Sequence, residues 1–135
     1  MMNDENNQVL ISKRKDNPLR TKSFRFSINI VNLYKHLINQ QEFVLSKQLV
    51  RCGTSIGANI FEAQRAQSVP DFTAKMYIAL KEAQETIYWL MLLKETNYFD
   101  EKTAGKAIND CEELIKMLTA TTKKIAERKF DNRPA

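Results

Sequence analysis

Histidine is almost missing from this chain: His36 is the only one in 135 residues. Glycine and proline occur three times each, and cysteine twice. Each scarcity excludes something. An all-β protein of this length needs many more turn residues, so the shortage of breakers favours long helices. A single histidine cannot supply the paired Glu-x-x-His units of a di-metal helical bundle, and no glutamate lies three residues before His36. Glu82 and Glu85 have no histidine partner. The same shortage leaves no nucleophile–base–orienter set for hydrolysis. His36 falls on a polar edge of its helical pattern and reads as a surface residue. Cys52 and Cys111 lack any CxxC or Cys/His spacing that would suggest zinc. Both occupy apolar positions and read as buried free thiols. No P-loop, GxGxxG or zinc knuckle occurs. The expectation is a non-enzyme with no catalytic residue, no cofactor and no metal.

Long apolar runs are missing as well. No stretch of about 18 apolar residues exists to span a membrane. The start, Met1 to Asn7, is acidic and polar, unlike a signal peptide. A cytoplasmic protein is expected.

What is present suits one soluble globular domain: 43% hydrophobic and 27% charged residues. The net charge is +5, unevenly spread. Residues 1–25 carry six basic and three acidic side chains, residues 26–115 nine and eleven, and residues 116–135 six and two. A slightly acidic body therefore has basic ends. Such ends suit an anionic partner such as RNA or DNA, or serve solubility alone.

Periodicity predicts four helices. Residues 1–20 read as a flexible or loosely docked arm, polar apart from Val9, Leu10 and Ile11, with Pro18 as a break. The bundle domain spans residues 21–130 and leaves a short tail, 131–135. The first helix runs from about Lys22 to Asn39, with Phe26, Ile30, Leu33 and Leu37 on one face. Phe24, Ile28, Val31 and Ile38 form a second apolar edge. The second helix runs from about Phe43 to Gln67, with Leu45, Leu49, Cys52, Ile56, Ile60 and Ala63 as its stripe. Gly53 and Gly57, four apart, predict that another helix comes close there. Ser68, Pro70 and Asp71 spell a helix start. The third helix continues to about Asn97 through the heptad seam Phe72, Met76, Ala79, Ala83, Thr86, Leu90 and Leu93. Asp100 caps the fourth, which reaches about Arg128 and repeats the spacing at Ala104, Ile108, Cys111, Ile115, Leu118, Thr122 and Ile125. Four amphipathic helices with short connections predict an all-α, antiparallel up-down-up-down four-helix bundle.

Two stripes are neither plain core nor plain surface. One holds Gln48, Ser55, Asn59 and Glu62, with Arg51 at its edge. The other holds Ile78, Glu82, Glu85, Trp89 and Leu92. Such mixtures suit a partly buried seam between helices or subunits, where Arg51 pairs with a glutamate. Val50, Gly57, Phe61, Leu80, Ile87 and Met91 add apolar surface beyond what one bundle buries, which predicts an oligomer.

The stretch Gln48-Leu49-Val50-Arg51-Cys52-Gly53-Thr54-Ser55-Ile56-Gly57-Ala58-Asn59-Ile60-Phe61-Glu62-Ala63, followed by Asp71-Phe72 and Ala79-Leu80-Lys81-Glu82-Ala83-Gln84-Glu85-Thr86-Ile87-Tyr88-Trp89-Leu90, resembles a bacterial family. These are the four-helix-bundle proteins encoded within intervening sequences of large-subunit ribosomal RNA genes, which also include the accessory protein of diversity-generating retroelements. The resemblance covers about a third of the chain. It implies a homopentamer of up-down bundles around a central channel, with no known enzymatic activity. It also implies a positively charged surface that, in the retroelement branch, binds nucleic acid and the reverse transcriptase. Arg51, Ser55, Asn59, Glu62, Glu82, Glu85, Thr86 and Trp89 match the family's motif and read as an assembly and packing seam. Nucleic-acid contacts are expected from Lys13, Arg14, Lys15, Arg20, Lys22 and Arg25 near the start. Lys116, Lys123, Lys124, Arg128, Lys129 and Arg133 near the end are expected to add to them. The alternative is a structural or protein-interaction module without nucleic-acid binding.

Overall fold

The computed structural model describes residues 17–131. They form four helices: α1 (Pro18–Asn39), α2 (Leu45–Ala63), α3 (Val69–Glu95) and α4 (Glu101–Asp131). The expected arm lies almost entirely outside the described residues.

Helix α1 begins at Pro18, four residues before the expected start near Lys22. Pro18 opens the helix instead of breaking it. Asn17 stands before it in extended conformation, and its Oδ1 accepts from the Leu19 and Arg20 N–H groups at 3.1 and 3.2 Å. Proline at the first helical position loses no hydrogen bond there, and its fixed φ is already helical. At the other end Gln41 takes φ 63°, and the Glu42 N–H reaches back to the Leu37 carbonyl at 2.9 Å. This left-handed closure satisfies carbonyls the helix leaves open. Asn97 (φ 67°) closes α3 in the same way, with Tyr98 N–H on the Leu93 carbonyl.

Helix α2 is shorter than its pattern, starting at Leu45 and ending at Ala63. Its Val44 cap offers no side-chain acceptor. The buried Glu42 carboxylate substitutes, accepting from the N–H groups of Val44, Leu45 and Ser46 at 3.3, 3.0 and 2.6 Å. Burial acts to raise the Glu42 pKa, but these N–H donors outweigh it and hold the carboxyl below its ordinary range. Ser68 caps α3 through its Oγ on the Asp71 N–H, and Asp71 accepts from Gln67 N–H in return. Asp100 caps α4 through the Thr103 N–H at 2.7 Å.

Cross-helix pairings run in opposite directions along neighbouring helices, which makes them antiparallel. Gly57 faces Ser23 and Ser27, whereas Gly53 faces Ile30. Arg51 reaches Glu82 and Glu85, whereas Glu62 reaches Lys75. Lys22 pairs with Glu113, whereas His36 stacks on Phe99 just before α4. The main contacts join α1 to α2, α2 to α3 and α3 to α4, and α1 touches α4 least.

Between the helices lies one core. Leu37, Leu49, Ile56, Ile60, Leu90, Leu93 and Leu118 are completely buried. Each such side chain contributes about 1.5–3 kcal/mol. The predicted stripes of α1 and α3 point inward, as does that of α2 from Leu49 onward. Leu45 and Phe72, at the ends of their stripes, are partly buried. Helix α4 corrects its stripe. Ala107 and Leu114 are buried, while Ile108 and Ile115 are only partly so. The apolar face of α4 is wide enough that small Ala107 takes the close approach and the bulkier isoleucines pack on its flank. The two glycines do mark a close approach, by α1. A Cβ on Gly53 would lie 2.8 Å from the Ile30 side chain, and one on Gly57 would lie 2.9 Å from Ser27 Oγ and 3.2 Å from the Ser23 carbonyl.

Candidate functional site

The mixed stripes of α2 and α3 meet at Arg51 within one chain. Arg51 bridges Glu82 at 3.5 Å and Glu85, and Trp89 Nε1 donates to the same Glu85 Oε2 at 3.2 Å. Spacings of three and four residues place Glu82, Glu85 and Trp89 on one side of α3. Tyr88 meets Trp89 edge-on, with ring centroids 5.0 Å apart. Thr86 is buried behind them and donates to the Glu82 carbonyl at 2.7 Å, so it belongs to the core. Asn59 donates to the Ser55 carbonyl at 2.8 Å, within its own helix. Glu62, at the far end, pairs with Lys75 at 3.0 Å. Arg51, Glu82, Glu85 and Trp89 are therefore brought together. Ser55, Asn59 and Glu62 follow along α2 without joining that cluster.

Among the described residues, the predicted basic side chains of α1 and of the end of α4 lie towards one end of the bundle but do not form one compact patch. Lys13, Arg14, Lys15 and Arg133 lie outside the described residues, and Lys129 falls in the last turn of α4. Lys22 is paired with Glu113. Arg20 lays its guanidinium over the Phe61 ring, 4.9 Å from the centroid, and Arg65 approaches the same ring at 5.2 Å. Arg25, Lys116, Lys123, Lys124 and Arg128 are exposed. Measured along the axis from the Lys22–Glu113 bridge, α1 begins about 6 Å away and Arg128 lies about 22 Å away, at 1.5 Å per residue. The last basic residues of α4 thus extend past the start of α1.

A groove not expected from the sequence runs between α1 and α2. Its volume is about 740 Å³, and Arg20, Thr21, Ser23, Phe24, Arg25, Ser27, Thr54, Gly57, Ala58, Phe61 and Glu62 line it. Phe24 is 67% exposed and Phe61 43%. The signal was the second apolar edge of α1 beside a glycine-bearing helix. Small residues at Gly57 and Ala58 let the surface dip between the two rings. Elsewhere Ile28, Ile78, Tyr77, Tyr88 and Met91 are exposed. Val50, Leu80 and Ile87, expected as surplus, pack partly against the core.

No chemistry-bearing cluster accompanies these surfaces. Among the described residues no group of three or more His, Cys, Asp or Glu side chains is placed to hold a metal ion. His36 is exposed, stacks on Phe99 and shares a hydrogen bond with Gln40. Both cysteines are buried and free. Burial pushes the Cys52 thiol up to about 11 and that of Cys111 up to about 12. Among the described residues no helix is long and apolar enough to cross a membrane.

Comparison with known proteins bears on the same region. The sequence profile described as 23S rRNA-intervening sequence protein matches residues 15–120. A crystal structure of a protein of unknown function from the S23 ribosomal protein family of Bacteroides thetaiotaomicron VPI-5482 is similar in sequence and shape. It is 53% identical, spans 78% of this chain and 98% of its own, and superposes with a TM-score of 0.76. No curated protein matches.

Proposed function

Because the chain belongs to the family of 23S rRNA-intervening sequence proteins, we propose that it is a non-enzymatic, homo-oligomeric binding protein of the cytoplasm that contacts nucleic acid through the basic end of its bundle. The observation that carries the reading is apolar surface left over around a filled core. Tyr88 is 60% exposed, Met91 53% and Ile28 50%, on helices whose inner faces are already buried. Such surface, spread over several helices, suits contacts between subunits. Five copies is the number implied by the family resemblance.

Nucleic-acid binding draws support from position and charge. Lys123, Lys124 and Arg128 are exposed at the protruding end of α4 and carry no described ion pair. A closed ring of subunits multiplies that end into a basic rim. The Glu82 and Glu85 carboxylates at the α2/α3 seam would repel phosphate, so the seam serves packing.

Light scattering with and without a mixed RNA pool tests both halves. A single species several chain masses in size, joined by RNA at low salt and released as salt rises, is the expected result. Replacing Lys123, Lys124 and Arg128 with alanine lowers the logarithmic salt slope by roughly two for a single strand. A monomer at micromolar concentration refutes assembly. An oligomer that ignores RNA at low salt refutes the nucleic-acid half and leaves the protein-interaction module.

A further inference from the structure

We propose that the groove between α1 and α2 docks an acidic amphipathic helix of a different protein, which lays its apolar face over Phe24 and Phe61 and sets its carboxylates against Arg20, Arg25 and Arg65. Both walls are lined at helical spacing. Arg20, Phe24 and Ser27 on α1, like Thr54, Ala58 and Phe61 on α2, lie four and then three residues apart. Two facing seams of this kind form the holes that receive the knobs of a third helix. From Arg20 to Ser27 the groove runs about 10 Å, or about two helical turns. That length suits apolar anchors on one face of a docked helix. Gly57 and Ala58 keep the floor low, and the exposed Phe24 and Phe61 rings offer apolar area that docking removes from water.

Charge selects an acidic occupant. Arg20 and Arg25 line the groove, and Arg65 lies against Phe61 at its edge. Among the described residues no carboxylate pairs with any of the three. Glu62 is the one carboxylate in the lining, and Lys75 of α3 already pairs with it at 3.0 Å. The groove therefore presents positive charge around an apolar floor, the complement of a helix with one apolar and one acidic side. A stacked nucleobase fits less well. The Arg20 and Arg65 guanidinium groups lie over the Phe61 ring, 4.9 and 5.2 Å from its centroid, and a base would have to displace one of them.

A second copy of this chain lacks the matching face among the described residues. The outward stripe of α3, Tyr77, Lys81, Gln84, Tyr88 and Met91, has a lysine at its middle, and its one acid, Glu95, stands in the last turn. The neighbouring stripe through Ile78 does carry Glu82 and Glu85, but Arg51 of the same chain holds both carboxylates. Helix α4 exposes Glu112 and Glu113 with no large apolar side chain exposed beside them. Acid and free apolar surface therefore occur apart on this chain, and the groove asks for them together. The α4 residues Lys123 and Lys124 lie outside the groove, so nucleic-acid binding and helix docking can each fail alone.

Fluorescence anisotropy with the full chain and two labelled peptides tests the proposal. Each peptide has about 15 residues, the length at which an isolated helix begins to hold. Both carry the same leucine stripe, with glutamates on the polar side of one and lysines on that of the other. The acidic peptide is expected to bind saturably, one per chain, and at least about tenfold more tightly than the basic one. Ala58→Glu, at an exposed position of the groove floor, should weaken it at least about tenfold. Arg20→Glu combined with Arg25→Glu should reverse the order of the two peptides. Absence of saturable binding, equal affinity for both peptides, or binding indifferent to Ala58→Glu overturns the proposal. An oligomer that falls to monomer with Ala58→Glu overturns it in favour of a second copy. A mixed RNA pool that displaces the acidic peptide and is itself lost with Ala58→Glu overturns it in favour of nucleic acid.

Discussion

Gly53 lies directly against Ile30, so closely that a methyl group at Gly53 would sit 2.8 Å from the Ile30 Cγ2 atom. Ile30 is completely buried and branches next to its backbone, so it has nowhere to move. Gly53→Ala gains about 1 kcal/mol of helix propensity. Overpacking costs about 1–3 kcal/mol, and the clash wins. Urea denaturation should show net destabilisation for Gly53→Ala. Gly105 has nothing within 4 Å of an added Cβ. Gly105→Ala should therefore stabilise the protein by roughly the propensity difference, about 1 kcal/mol.

Glu42 should make the protein sensitive to acid. Its carboxyl titrates below the ordinary 4.5 when folded, because backbone N–H groups favour the charged form. The stability it contributes is complete above the unfolded pKa and is lost as pH falls through the lower folded value. Glu42→Gln should cost about 1–2 kcal/mol near neutrality, as loss of a helix cap does. Below pH 4.5 its stability should fall less steeply than that of the unchanged protein. Denaturation midpoints across that window check both points.

Cys52 and Cys111 should ignore thiol reagents in the folded state. With pKa values near 11 and 12, almost no thiolate exists at pH 7.5, and both side chains are buried. A colorimetric thiol titration should find neither cysteine in native protein and both after unfolding. Fast labelling of either thiol without denaturant would contradict this packing.

Arg51 and Glu85 should couple only weakly. The Arg51 side chain is 52% exposed and that of Glu85 39%, so water and salt screen the pair. A double-mutant cycle with Arg51→Ala and Glu85→Gln should give a coupling below about 1 kcal/mol that shrinks in high salt. Trp89→Phe should disturb Glu85 as well, through the lost indole hydrogen bond.

Most of the fold was legible in the sequence because burial follows the helical repeat. Ile30, Leu49, Ala83 and Leu90 declared their faces by spacing alone. Helix α4 resisted, since Ile108 and Ile115 satisfy the heptad as well as Ala107 and Leu114 do, and only three-dimensional packing chooses between them. Pro18 was misleading because the same residue ends a helix from within and begins one at its first position; Asn17 before it was the deciding clue. The Glu42 cap depends on a chain reversal at Gln41, which no periodicity encodes. The Arg51–Glu85–Trp89 cluster was readable residue by residue. The groove was not, because it arises where the Phe24 edge of α1 meets the Gly57 and Ala58 dip of α2.

The weak contact between α1 and α4 has a kinetic consequence. Every strong interface in this bundle joins helices adjacent in sequence, through connections of only a few residues. Contact order is therefore low, and little loop entropy must be lost before native contacts form. The chain should fold in microseconds to milliseconds by successive hairpin growth. Closing the ring between the first and last helices becomes a late step that adds little to the barrier.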